Sequence, residues 1–283
     1  MNGTDRPVVV GVDGSPAGLG AVRWAVDEAA LFDRPLEIVH ALTLAGEDEP
    51  ATDDYGVAGQ AATRARVWQP ELRIATRAGP GDAARLLMER SRHASLLVVG
   101  SRRPDEFPAV PVSFLGVQLA AHAHCPVLVV QDSQHWAGPG AALPQHRPVL
   151  LGTDGSDRAQ PAVELAFAEA AARRTGLIAV RAWQEPPRYR GQADGIDRLA
   201  ADAGGSLEAE LGPWRARYPG VPVEQRTVRG APAPVLLAAA GHALMLVVAP
   251  RGAGGFDGLR LGSTAQQVLD HASVPVLVAR ARD

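Results

Sequence analysis

Short apolar runs alternate along this chain with longer stretches whose apolar residues recur at helical spacing. Val8 to Val12 (VVVGV) is a continuous apolar run, the pattern of a strand covered on both faces. Ser15 followed by Pro16 reads as an N-cap and first helical residue, because proline needs no amide partner there and already has the right φ. The helix that follows sets Val22, Trp24 to Val26 and Ala29 on its apolar side. LEIVHAL (Leu36 to Leu42) predicts a second strand, residues 58–69 a helix after an acidic loop, and LRIATRA (Leu72 to Ala78) a third strand. Residues 82–92 predict a helix, Leu96 to Gly100 a fourth strand, 115–123 a last helix and Pro126 to Val130 a fifth strand. The succession then returns with VLLGT (Val149 to Thr153), LIAVRAW, VPVEQRTV, LMLVVA and PVLVA (Pro275 to Ala279).

The return is a duplication. Arg6 to Ala41 matches Arg147 to Ala182 without a gap, at a constant spacing of 141 residues. The last strands of each half repeat at a spacing of 149, so eight additional residues fall between the second and third strands of the second half, around Glu185 to Gly205. Each copy is the size of a whole domain rather than a solenoid unit. The expected organisation is a first domain over 1–131, a Gly-, Pro- and Ala-rich linker over 132–146, and a second domain over 147–283. Alternating strands and helices imply an α/β fold with two open parallel sheets, right-handed crossovers and helices on both faces. In such sheets ligands bind beyond the carboxyl ends of the strands, where the strand order reverses.

Composition narrows the function classes. A net charge of −3 leaves no electrostatic footprint for nucleic acid or an anionic membrane. The longest uncharged stretch, Ala231 to Pro250, contains three prolines, Gly241 and His242, and reads as a helix, a turn and a buried strand. The start MNGTDRPVVV has neither a basic nor an apolar leader region, so the expectation is a soluble cytoplasmic protein. The single cysteine, Cys125, can form neither an intrachain disulfide nor a metal cluster, and its place before an apolar strand favours a buried structural thiol over a reactive one. The eight histidines show no metal-ligand spacing, and no G-x-S-x-G elbow, Walker A loop or H-E-x-x-H motif occurs.

Two loops per half can build a site at the switch point. The first carries Asp13-Gly14-Ser15 or Asp154-Gly155-Ser156. The carboxylate there could accept hydrogen bonds from a ribose or an adenine amine, or could simply cap the next helix. The second loop, Ala249 to Val268, has glycines at 252, 254, 255, 258 and 262 and runs through Gly262-Ser263-Thr264 into a helix. Backbone amides at such a helix start favour an anion such as phosphate. Ser263 with Gln266 is equally a capping box that needs no ligand. His40 and Arg181 occupy matching strand ends, and their difference in type argues against a shared catalytic duty.

Two copies of [VL]-G-[TV]-D-G-S, together with G-x-x-G-x(9)-G-[ST] before a P-V-L-V strand, resemble the universal stress protein family. The resemblance covers nearly the whole chain and is that of a tandem, two-domain member. It implies strand order 3-2-1-4-5 in each half, an adenine-nucleotide alpha hydrolase-like architecture, and ATP at the first/fourth strand switch point in one subclass, with Mg²⁺ as an optional companion. Carried onto the second half, Asp154 meets the nucleoside and Ala182 lies against adenine. Gly252, Gly262, Ser263 and Thr264 hold phosphates and ribose, with Val248, Ala249 and Arg251 completing the site. The corresponding set in the first half is Asp13, Ala41, Gly100 and Ser113. The resemblance also implies pairing of the two last strands, Val127–Val130 beside Val276–Ala279, as an intrachain pseudo-dimer that could dimerise again.

Neither half carries the whole motif. The second has Ala249 and Pro250 where the motif opens with glycine. An alanine there costs little if the position needs only close approach, and roughly 1 kcal/mol if it needs positive φ. The first half has Arg103 in place of the second glycine, Ser113-Phe114 in place of Gly-Ser, and Pro104, Pro108 and Pro111 within the loop. Prolines remove amide donors, so the phosphate cradle is largely dismantled there. The expectation is an ATP-binding stress-response sensor or adaptor with one site, in the second half. The alternatives are a slow Mg²⁺-dependent ATPase and an interaction module that binds no nucleotide. Asp257 is the one carboxylate in the phosphate loop, with no evident general base beside it.

Overall fold

A computed structural model describes residues 6–42, 55–101, 114–131, 143–144, 146–185, 193–254, 258 and 260–280. The chain divides into two compact units, Met1–Leu143 together with Arg280–Asp283, and Pro144–Ala279. That boundary falls inside the segment 132–146, most of which lies outside the described residues.

The first unit runs β1 (Val8–Val12), α1 (Pro16–Leu31), β2 (Leu36–Leu42), α2 (Tyr55–Trp68), β3 (Ile74–Pro80), α3 (Ala83–Ser91), β4 (Leu96–Gly100), α4 (Phe114–His122) and β5 (Val127–Val130). Its strands lie side by side in the order β3-β2-β1-β4-β5. Val8 stands opposite both Leu36 and Leu96, and Leu97 opposite Val127, all in parallel register. Continuous apolar sequence becomes a strand buried on both faces: Val8, Val9, Val10, Leu97 and Val98 are almost wholly enclosed. At the edge, β3 alternates half-buried and exposed positions, as its mixed sequence requires. Ser15 caps α1 by accepting the Gly18 N–H at 3.1 Å, Pro16 follows, and Trp24 is fully buried on the helix face predicted to be apolar.

The second unit repeats the plan with β6 (Val149–Gly152), α5 (Gln160–Arg173), β7 (Leu177–Trp183), α6 (Ala193–Arg217), β8 (Val223–Arg229), α7 (Pro232–Ala240), β9 (Met245–Val248), α8 (Ser263–His271) and β10 (Val276–Val278). Its strand order, β8-β7-β6-β9-β10, is the same 3-2-1-4-5. The apolar stretch after Ala231 is α7, a turn and β9, and among the described residues no helix is long and apolar enough to cross a membrane.

Two departures from local expectation matter for the site. The second copy does not begin its first helix as the first does. A 3-10 turn, Asp157–Ala159, precedes α5, and Ser156 makes no side-chain cap. Secondly, α6 has 25 residues where α2 has 14, so much of the inserted polar stretch is helix rather than loop. Its C-terminal end docks on α5 through aromatic rings, with Trp214 and Tyr218, the residue just past the helix, stacked on the buried Phe167 at 6.3 and 5.8 Å between centroids. Cys125 is buried, as its sequence position implied.

Candidate site at the carboxyl end of the second sheet

All nine residues singled out in the second half line one cavity of about 350 Å³. Asp154 comes from the loop after β6, Ala182 from β7, Val248 from β9, and Ala249, Arg251 and Gly252 from the loop that follows. Gly262, Ser263 and Thr264 form the start of α8. The structure adds an apolar wall that the motif does not include: Val180, Pro232 and Leu236. Val180 was legible, since it lies two residues before Ala182 on the same face of a strand. Pro232 and Leu236 sit one helical turn apart on α7 and carried no local signal of their own.

Asp154 fastens the two loops together. Its Oδ1 accepts the Ser156 N–H at 3.0 Å and the Ser156 hydroxyl at 2.6 Å, while Oδ2 accepts the Ala253 N–H at 2.6 Å. A Cβ added to Gly252 would lie 2.5 Å from that same Oδ2. Glycine is therefore required there for close approach, so that the loop can fold onto the carboxylate. Burial alone pulls the Asp154 pKa up. The hydrogen bonds from Ser156 and Ala253 outweigh burial, and the carboxyl lies below its ordinary 3.8. Such a group stabilises the fold at pH values above its unfolded pKa, and that stability is lost as pH falls through the lowered folded value. The urea midpoint of the wild type should therefore exceed that of Asp154→Asn at pH 7 and converge towards it at pH 3. A gap independent of pH would show that the strap contributes nothing through its charge.

The start of α8 is bare of side-chain caps. Gly262 is the N-cap at φ −80°, and no side-chain bond closes the first turn. Ser263 is already helical, so the Ser263–Gln266 capping box is not formed. What anchors the turn is the Gly262 N–H, which donates to the Pro250 carbonyl at 2.7 Å. Gly262, Ser263, Thr264 and Ala265 at the uncapped start of α8 line the cavity, and a helix start of this kind favours an anion.

Behind the Asp154 turn lies a polar cluster that the motif did not flag. The Arg181 guanidinium pairs with Glu210 at 2.5 Å through Nη2, and its Nη1 donates to the Ser206 hydroxyl. The Thr153 hydroxyl donates to Glu210 at 2.8 Å and accepts the Gly155 N–H at 3.2 Å. Desolvation raises the Glu210 pKa, opposed by the Thr153 hydrogen bond and the Arg181 charge and reinforced by the Asp154 carboxylate.

The first copy differs. Asp13, Ala41 and Gly100 line a cavity of only about 70 Å³, among side chains that include Leu86, Leu87 and Leu115; Ser113 lies outside the described residues. Leu115 stands where the second copy has Thr264. Asp13 accepts the Ser15 N–H and hydroxyl at 3.0 and 2.5 Å, as Asp154 does with Ser156. The residue matching Ala253 is Pro104, outside the described residues, and proline has no N–H to offer a carboxylate. Gly100 is pressed against α1, where an added Cβ would lie 2.5 Å from the Ala17 carbonyl oxygen. Gly100 is not among the residues with positive φ, so its position in the motif demands close approach rather than a left-handed backbone. Ala249 is accommodated at the matching place in the second unit, whose helix begins with the 3-10 turn instead.

The sequence pattern of the Universal stress protein family matches residues 5–131 and again 145–280. A universal stress protein of Mycobacterium tuberculosis (strain ATCC 25618 / H37Rv) is 33% identical over 298 residues, covering 96% of each chain. One from Mycolicibacterium smegmatis is 32% identical over 305 residues, covering 100% of this chain and 99% of the relative. Among solved structures, a universal stress protein from Archaeoglobus fulgidus shares the fold at TM-score 0.66 and 18% identity over 98% of both chains.

Proposed function

The chain belongs to the universal stress protein family, in tandem form, and from that premise we propose that its second half holds ATP or another adenine nucleotide. The observation that carries this reading is the pairing of a 350 Å³ cavity with a glycine loop and an uncapped helix start in one copy, against 70 Å³ in the other. The base lies against Ala182, Val180 and Leu236, the nucleoside near Asp154. The phosphates meet the amides at Gly252, Ser263 and Thr264. Arg251, Val248 and Ala249 complete the lining. No cluster of three or more His, Cys, Asp or Glu suited to a metal occurs among the described residues. A Mg²⁺ ion arriving with the nucleotide would therefore be held mainly by phosphate oxygens and water, with Ser263 and Thr264 in reach of the same groups.

The one carboxylate of the described lining, Asp154, is engaged by Ser156 and Ala253, and Asp257 lies outside the described residues. The reading is thus a sensor or adaptor whose shape is set by occupancy rather than a dedicated catalyst. Its test is thermal unfolding with and without ATP, AMP and NAD. A ligand at 100 times its Kd should add about 2.7 kcal/mol of apparent stability. Stabilisation by ATP is the expected result. No shift with any adenine nucleotide would leave an interaction module in its place.

A further inference from the structure

The second copy differs from the first at four positions behind the switch-point turn, and the four differ together. Thr153 stands where the first copy has Val12, and Arg181 where it has His40. Counted back from the shared helix end at Trp68 and Arg217, Ser206 and Glu210 stand where it has Val57 and Ala61. In the second unit these four side chains form the single bonded cluster described above, with the Arg181 and Glu210 side chains only 7% and 5% exposed. In the first unit the same place is a groove of about 310 Å³ lined by Val12, Gly14, Val57 and Ala61 among others, and the His40 ring bonds the Val12 carbonyl at 2.7 Å.

The cluster touches the turn directly. Gly14 and Gly155 share φ +79°, so the two turns have the same backbone. A Cβ on Gly14 would make ordinary contact with Val57 at 3.6 Å, whereas one on Gly155 would fall inside the Arg181 guanidinium. The Gly155 N–H is also fixed by the Thr153 hydroxyl, which Glu210 holds in turn. Glu210 is placed one helical turn before Trp214, the ring that docks α6 on Phe167. The Trp214 indole N–H donates to the Gln160 amide oxygen at 3.3 Å, which ties α6 to the start of α5.

We propose that Arg181, Glu210 and Thr153 are positioning residues: they restrain the motion of the Asp154–Gly155–Ser156 turn, whose shape Asp-Gly-Ser sets in both copies, so that Asp154 stays on the glycine loop, and thereby set nucleotide affinity in the second half. The proposal rests on the nucleotide reading of that cavity. Arg181 and Glu210 do not line the cavity and act through the turn; Thr153 lines it and links Glu210 to the Gly155 N–H. The first copy lacks all three, and its cavity at the switch point is about 70 Å³.

The test copies the first half into the second. The full chain carrying Thr153→Val, Arg181→His, Ser206→Val and Glu210→Ala is compared with wild type by calorimetric titration with ATP, each in an Asp154 and an Asp154→Asn background. Affinity should fall about tenfold where Asp154 is present and by less than about twofold where it is Asn, because the cluster acts through that carboxylate. Amide exchange at Gly155, Ser156 and Ala253 in the nucleotide-free protein should quicken by a similar factor, with β6, β7 and β9 unchanged. If the fourfold variant does not fold, Glu210→Gln alone is read in the same way. Equal losses in both backgrounds, or unchanged affinity in a wild type that binds ATP, would overturn the positioning role and leave the nucleotide site standing. A wild type that binds no ATP would overturn both.

Discussion

Gly262→Asp is expected to weaken ATP binding by at least about 100-fold, or about 2.7 kcal/mol, while leaving the ligand-free protein as stable as before. The two effects separate because the position is an N-cap. An added Cβ would meet the Pro250 carbonyl oxygen at 3.5 Å and Arg251 Cα at 3.6 Å, both ordinary contacts, and φ is −80°. Aspartate is among the preferred N-caps, so its carboxylate would satisfy amides of the first turn and stabilise α8 by a few tenths of a kcal/mol. Those amides are the ones a phosphate would use. The introduced charge would then stand a few ångströms from another anion, where repulsion at an effective dielectric of about 20 reaches about 4 kcal/mol per charge pair. Titration with ATP and with adenosine distinguishes the cause. Adenosine lacks phosphate and should bind wild type and variant alike. An ATP affinity that survives the substitution would place the anion away from α8.

Gly100→Ala is expected to destabilise the first unit by about 2 kcal/mol, lowering its unfolding temperature by roughly 5–10 °C. A single methyl has this effect because the obstacle is backbone. The new Cβ would lie 2.5 Å from the Ala17 carbonyl oxygen and 2.8 Å from its carbon, and 3.3 Å from Gly18 N. No side chain can swing aside; α1 must shift against β4, against which its buried face is packed. The natural control is the matching position, where the second copy already carries alanine. Ala249→Gly removes one methyl from a cavity wall and should change stability by less than about 1 kcal/mol. Calorimetry of both variants checks the contrast. Equal effects would mean that the tight approach of β4 to α1 is not what the glycine secures.

The strands were the most legible part of this molecule. Continuous runs such as Val8 to Val12 and Val127–Val130 are enclosed on both faces, and the alternating β3 and β8 stand at the edges. Helix starts were legible where the chemistry is local, as at Ser15 and Pro16, and misleading where a motif admits two uses. Ser263 with Gln266 satisfies the capping-box pattern, yet Gly262 takes the cap and Ser263 enters the helix. The candidate site was legible as a set of nine positions because glycines and the Asp-Gly-Ser turn mark loops by type. Glu210 was not legible. It lies on a helix rich in acidic and basic residues, where one more glutamate reads as solvated surface, and only the docking of α6 by Trp214 buries it against Arg181.

By itself the sequence determined the succession of strands and helices, the duplication, and the residue types available at each switch point. Those follow from backbone periodicity and from what glycine and proline can do locally. The sequence pointed to the second copy as the one with a site, but the volume each copy encloses was decided only by the tertiary structure. The Asp154 carboxylate meets an amide 99 residues further along the chain, and Arg181 meets a glutamate on the inserted helix. Cavity volume is the residue left by packing between distant segments. Two copies with the same succession of strands and helices can therefore enclose 70 Å³ and 350 Å³.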